Sequence, residues 1–127
     1  MTTTLTEGSL RQFTGSESFF RHWCNRAFIY TEGVQHVAEQ GGAYWLIDEI
    51  ALANRYEPKV ACERFQHWTL AIADDRTATL ACDDGNGGEV FRKTLEFTDF
   101  PLAQVEFFAC ENEFGPKNFT LMLPSEY

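Results

Sequence analysis

Residues 65–97 read FQHWTLAIADDRTATLACDDGNGGEVFRKTLEF, and the fold follows from how this stretch changes period. From Phe65 to Ala73 the chain alternates, with Trp68, Leu70 and Ile72 on one side and His67, Thr69, Ala71 and Ala73 on the other. That period of two belongs to a half-buried strand. Asp74-Asp75-Arg76 turns the chain into a second strand, Thr77 to Cys82, and Asp84-Gly85-Asn86-Gly87-Gly88 turns it into a third, Glu89 to Phe97. In the third strand Phe91, Leu95 and Phe97 share a face with Lys93, and Val90, Arg92, Thr94 and Glu96 take the other. The stretch predicts a β-meander.

Upstream the period is helical. Ala43 to Arg55 is rich in Leu, Ile, Ala and Glu and free of Gly and Pro, which predicts a helix with two faces. Ala43, Ile47, Ile50, Ala51 and Asn54 point one way; Trp45, Asp48, Glu49, Leu52 and the nearby Tyr56 gather on the other. Before it, Val34, Val37 and Ala38 fall on one helical face that starts at Thr31 and stops at Gly41-Gly42. Ala27 to Thr31 reads as a short strand, and Ser16 to Trp23 as a helical turn capped by Ser16, with Phe19, Phe20 and Trp23 on one side. Downstream of the meander, Val105 to Cys110 and Phe119 to Leu123 give a fourth and a fifth strand. Helices come early and strands late. The expected fold class is α+β: an antiparallel β-meander of about five strands with an N-terminal helical layer packed on one face. Residues 1–8, rich in Thr, are expected to be a flexible N-terminus, and residues 9–127 a single domain.

The chain has 127 residues, 44% of them hydrophobic, with 12 Phe, 3 Trp and 4 Tyr, too much apolar material for a disordered acidic segment. Lys and Arg number 10 against 19 Asp and Glu, so the formal charge is −9. Direct nucleic-acid binding is disfavoured, because that affinity comes from clustered cations that release counterions from phosphate. No stretch reaches the roughly 18 apolar residues of a membrane span, and the start MTTTLTE lacks the basic and apolar regions of a signal peptide. A cytoplasmic protein is expected. Cys24, Cys62, Cys82 and Cys110 form no Cys-x-x-Cys pair and read as reduced thiols acting as small hydrophobes.

Four phrases carry a resemblance: GAYWLIDEIA (42–51), ATLACDDGNG (78–87), EFTDFP (96–101) and LPSEY (123–127). Together they resemble a family of small uncharacterised bacterial proteins, a domain of unknown function, of a kind also carried on mobile elements. The resemblance covers nearly the whole chain. It implies one compact domain and brings no activity, cofactor or catalytic residue. Separately, Gly41-Gly-Ala-Tyr-Trp45 after a helix is similar to a Gly-Gly-Tyr-Trp turn of plasmid-borne antirestriction proteins.

Signatures of chemistry are sparse. His22, His36 and His67 sit in no ligand motif; His22 and Cys24 are two apart, with no second pair to complete a metal site. No catalytic residue, metal or cofactor is assigned, since no local pattern activates a thiol and no Gly-x-Ser-x-Gly elbow occurs. The loop Asp83 to Glu89 lacks the ligand register of a calcium loop and the Lys and Ser/Thr of a phosphate loop.

Two features remain. The stripe Trp45, Asp48, Glu49, Leu52 and Tyr56 interleaves aromatics with carboxylates, which suits a protein-binding surface; alternatively Trp45 and Leu52 are core, with Asp48 and Glu49 paired to Arg55 or Lys59. The carboxylates Asp74, Asp75, Asp83, Asp84 and Asp99, with Glu111 and Glu113, recur at turns. Lining one end of the sheet, they would present a nucleic-acid-like field to a basic groove. The leading expectation is a non-enzymatic acidic interaction domain whose partner is a protein with a basic surface, in its most concrete form an inhibitor of nucleic-acid-handling defence machinery. The alternative is a small enzyme or ligand-binding domain with a pocket between helix and sheet, using His67, Trp68 and a cysteine.

Overall fold

Two short strands, β1 (Phe19–Arg21) and β2 (Phe28–Thr31), open the part of the chain that the computed structural model describes, residues 18–127. They pair antiparallel, Phe20 opposite Tyr30 with ring centroids 5.6 Å apart. Phe19 to Arg21 is therefore strand, not the helical turn that the spacing of Phe19, Phe20 and Trp23 predicts. The aromatic pair across the ladder outweighs a local pattern too short to nucleate a helix. The Ser16 cap and the flexible stretch expected at residues 1–8 lie outside the described residues.

Thr31 ends β2 and caps α1 (Glu32–Gly41), its hydroxyl accepting the Val34 N–H at 3.2 Å. Gly42, at φ 61°, takes the left-handed position that ends the helix, and the Ala43 N–H closes back on the Ala38 carbonyl at 2.8 Å. α2 (Tyr44–Tyr56) follows, then α3 (Pro58–Ala61), a single turn that Pro58 starts well because its missing N–H has no helical partner there. The strands β3 (Phe65–Ile72), β4 (Ala78–Asp83), β5 (Glu89–Leu95), β6 (Gln104–Glu111) and β7 (Phe119–Met122) complete the chain with a closing 3-10 turn, Pro124–Glu126. That turn is strapped to α1: Glu126 Oε1 accepts from the Thr31 hydroxyl at 2.7 Å and from the Leu123 N–H at 2.9 Å. Gly33 makes room for it, since a Cβ there would stand 2.5 Å from the Glu126 carboxylate.

The class is α+β, but the sheet is mixed and, among the described residues, has seven strands in the order β1-β2-β7-β6-β3-β4-β5. β3, β4 and β5 form the expected meander. β6 then crosses back to β3, and β7 beside it pairs parallel with β2, Phe28 opposite Phe119. Burial explains this order. Val105, Phe107 and Ala109 of β6 are buried and belong at the centre, Phe107 opposite Trp68 and Val105 opposite Leu70. β5, with Glu89, Arg92 and Lys93, carries the charge that suits an edge.

The helices cover one face, where Phe28, Trp68, Leu70, Leu80, Phe107 and Leu121 join Val34, Leu46, Ile47 and Ile50 in one core. Gln66, fully buried on this face, makes a reciprocal amide pair with Asn54 of α2: Nε2 donates to Asn54 Oδ1 at 2.7 Å, and Asn54 Nδ2 donates back to Oε1 at 3.1 Å. Gln66 Nε2 also donates to the carbonyls of Val60 (2.9 Å) and Glu63 (3.2 Å), and its Oε1 accepts the Trp68 indole N–H at 2.9 Å. Every polar atom of the pair is satisfied.

Gln66→Leu keeps the bulk of the side chain and strands those partners, so it is expected to lower the unfolding free energy by on the order of 3 kcal/mol in urea titration.

Candidate functional site

α2 turns two stripes to two environments. Leu46, Ile47, Ile50, Ala51, Ala53 and Asn54 are buried, while Leu52 and Tyr56 are exposed and Trp45, Asp48 and Glu49 half-buried on the outer side. Trp45 packs against the core edge, so the stripe is outward-facing with one aromatic half sunk.

The loop between β1 and β2 is clasped to this stripe. His22, 3% exposed, bonds Asp48 Oδ1 through Nε2 at 2.7 Å, and its Nδ1 accepts the N–H groups of Cys24 (3.2 Å) and Asn25 (3.0 Å). Two donors on Nδ1 place the ring proton on Nε2, where it points at the carboxylate. Trp23 Nε1 donates to the same oxygen at 3.0 Å, and Asn25 Nδ2 donates to the Ala51 carbonyl at 2.8 Å. Trp23 is thereby fixed over α2 while 78% exposed. Near the end of the helix the Arg55 guanidinium lies 5.5 Å from the centre of the Tyr56 ring, and its Nε donates to the Tyr56 hydroxyl at 3.2 Å.

Neither carboxylate pairs with Arg55 or Lys59. Asp48 serves His22 and Trp23, and Glu49 holds Lys93 of β5 with both oxygens at 2.9 Å. These partners come from a loop 25 residues away and a strand 44 residues away, distances at which helical spacing carries no information. A groove of about 320 Å³ opens between α2 and β5, lined by Glu49, Leu52, Tyr56, Glu57, Phe91 and Lys93.

The turn carboxylates do not converge. Asp74 and Asp75 lie in the β3–β4 turn, and Arg76 fastens the Asp99 loop to that end through the carbonyls of Thr98 (2.9 Å) and Phe100 (2.7 Å). Asp83 and Asp84 lie at the opposite end, as do Glu111 and Arg64. Successive hairpin turns must alternate ends, so a single acidic rim does not form. The turns use their acids locally: Asp75 accepts from the Thr77 hydroxyl (2.6 Å) and N–H (3.0 Å), Asp84 from the N–H groups of Asn86 (2.8 Å) and Gly88 (3.1 Å). These bonds hold both carboxyls below the ordinary carboxylate value.

On the sheet face away from the helices, His67 stands between Asp83 (Nδ1, 3.0 Å) and Glu106 (Nε2, 3.0 Å). Beside it Phe65, Phe108 and Tyr127 pack ring against ring at 5.0 to 5.6 Å. The alternation of β3 places Phe65 and His67 outward; their neighbours come from the β3–β6 register, which no local pattern encodes. Trp68 points to the opposite face and is fully buried, so His67, Trp68 and a cysteine do not share a pocket. Burial, with Asp83, Glu63 and Asp84 adding to it, pushes the Cys82 thiol far up, and burial raises Cys110. Both are poor nucleophiles. Among the described residues no group of three or more His, Cys, Asp or Glu is arranged to hold a metal ion, and no helix is long and apolar enough to cross a membrane.

The chain belongs to a family of unknown function, DUF6876, whose model matches residues 4–127. No curated protein and no solved structure matches it.

Asp48→Ala removes two of the three bonds of the clasp, one of them from a buried ring, and leaves that of Asn25 to the Ala51 carbonyl. Amide exchange at Cys24 and Asn25 is expected to accelerate, with on the order of 1–2 kcal/mol lost in urea titration. In an NMR titration the carboxyl carbons of Asp75 and Asp84 should have midpoints below 3.8. Because their folded values are depressed, their stabilising bonds are fully present above the unfolded value and are lost as pH falls through the folded one.

Proposed function

We propose that this protein is a non-enzymatic interaction domain that docks the outer face of α2 on a basic surface of a protein partner. The observation that carries this reading is the pair Trp23 and Tyr56, 78% and 67% exposed yet each held by directional contacts. Large aromatic rings leave water favourably, and rings already fixed lose little further freedom on binding. Trp and Tyr in such positions are the residues that dominate interface energetics. Asp48 and Glu49 sit between them, and the net charge of −9 favours approach of a cationic surface. The most concrete form remains an inhibitor of nucleic-acid-handling or defence machinery; with the turn acids divided between two ends, it acts through the α2 face rather than through a nucleic-acid-like rim. We take the protein as cytoplasmic, which the four free cysteines support. The enzyme alternative has less to support it, because His22 and His67 are bonded to carboxylates away from the groove and the Cys82 and Cys110 thiols are pushed toward the unreactive form.

Immobilised protein, challenged with lysate of its source cells at low and high salt and read by mass spectrometry, should retain a partner in a salt-sensitive way. The double substitution Trp23→Ala and Tyr56→Ala should abolish retention with the melting temperature little changed, while Asp74→Lys with Asp75→Lys should leave it within about twofold. Equal retention by the aromatic double variant would refute the assignment of this face.

A further inference from the structure

Among the described residues β5 is the last strand of the sheet and pairs only with β4, so one side of its backbone carries N–H and C=O groups without a ladder partner there. The groove against α2 runs along the same strand. Phe91 forms its wall and is braced from behind by Trp68, ring centroids 5.4 Å apart, and Leu52 and Tyr56 face it from the helix. An edge strand beside a helix, with an apolar cleft between them, is the arrangement in which an extended peptide adds to a sheet: main-chain bonds give affinity and alternate side chains enter the cleft.

Charge selects the peptide. Lys93 is neutralised by both oxygens of Glu49, whereas Glu57 has no ion-pair partner among the described residues. Glu57 also lies at the C-terminal end of α2, where the helix dipole adds negative potential. Arg55 is committed to Tyr56, and Lys59, two residues beyond Glu57 on α3, does not line the groove. The uncompensated charge of the groove is therefore negative, at its Glu57 end.

We propose that the free edge of β5 and the α2 groove together take up an extended, basic segment of a partner protein by strand addition. One apolar side chain of the segment packs between Leu52 and Phe91, and a Lys or Arg two positions away, on the same face of the added strand, reaches Glu57. This rests on the reading of the α2 face as a docking surface and names the chemistry of what docks.

The test is an acetylated, amidated heptapeptide in which Thr alternates with Ile and Lys, titrated at millimolar concentration into the isotope-labelled protein. The expected result is shifted and slowly exchanging amides within Glu89–Leu95. N-methylation of one alternate set of peptide amides should abolish binding while methylation of the other set is tolerated. Glu57→Lys should weaken binding about fivefold, Leu52→Asp should abolish it, and Asp74→Asn, in the distant β3–β4 turn, should leave it unchanged. Unperturbed β5 amides, or equal tolerance of both methylated peptides, would overturn strand addition. If retention of the natural partner still depends on Trp23 in that case, the α2 face stands and only the groove assignment falls.

Discussion

The reciprocal amide pair between Asn54 and Gln66 sets how the helical layer sits on the sheet. Two buried amides that satisfy each other, three carbonyls and an indole N–H fit in one arrangement, and a slip of α2 by one residue would leave several of these groups unpaired at a cost of about 1–3 kcal/mol each. A helix turns 100° per residue, so fixing Asn54 inward sends Leu52 and Tyr56, each two residues away, to the opposite side. The same network seats Trp68, and Trp68 seats Phe91. A polar contact deep in the core thus determines both the exposed stripe and the wall of the groove.

The contacts at the surface are graded. The Lys93–Glu49 pair joins two side chains with substantial exposure, and such pairs contribute roughly 0–1 kcal/mol. Its larger effect is to cancel one charge at the groove. The Asp48 clasp is of another kind: its acceptor oxygen serves a buried imidazole as well as an exposed indole, and charge-assisted bonds of this type are about twice as strong as neutral ones. Asp48 therefore acts first as a structural residue of the site, holding Trp23, and only second as a charge that a partner could meet.

Much of this was legible in the sequence where information is local. The stretch 65–97 contains its own turns, so β3, β4 and β5 follow from alternation and from Asp- and Gly-rich turn chemistry. Both faces of α2 follow from the wheel, and the end of α1 follows from Gly42. What was not legible depends on partners far along the chain. β1 is three residues long and exists through its ladder with β2. The return of β6 to β3 and the parallel junction of β2 with β7 reflect which strands are apolar enough for the centre, a competition that no single strand reveals. Gln66 looks like a polar residue in an apolar stripe until Asn54 is brought against it. The separation of the turn acids could have been inferred, since consecutive hairpins alternate ends.

The proposed docking surface is the outer face of α2. Hydroxyl-radical footprinting of the captured complex tests this most directly, because exposed aromatics occur on both sides of the sheet. The expected result is protection of Trp23, Leu52 and Tyr56, with Tyr127, 75% exposed on the opposite face, reacting as it does in the free protein. Protection of Tyr127 and Phe108 with Trp23 and Tyr56 still reactive would contradict it.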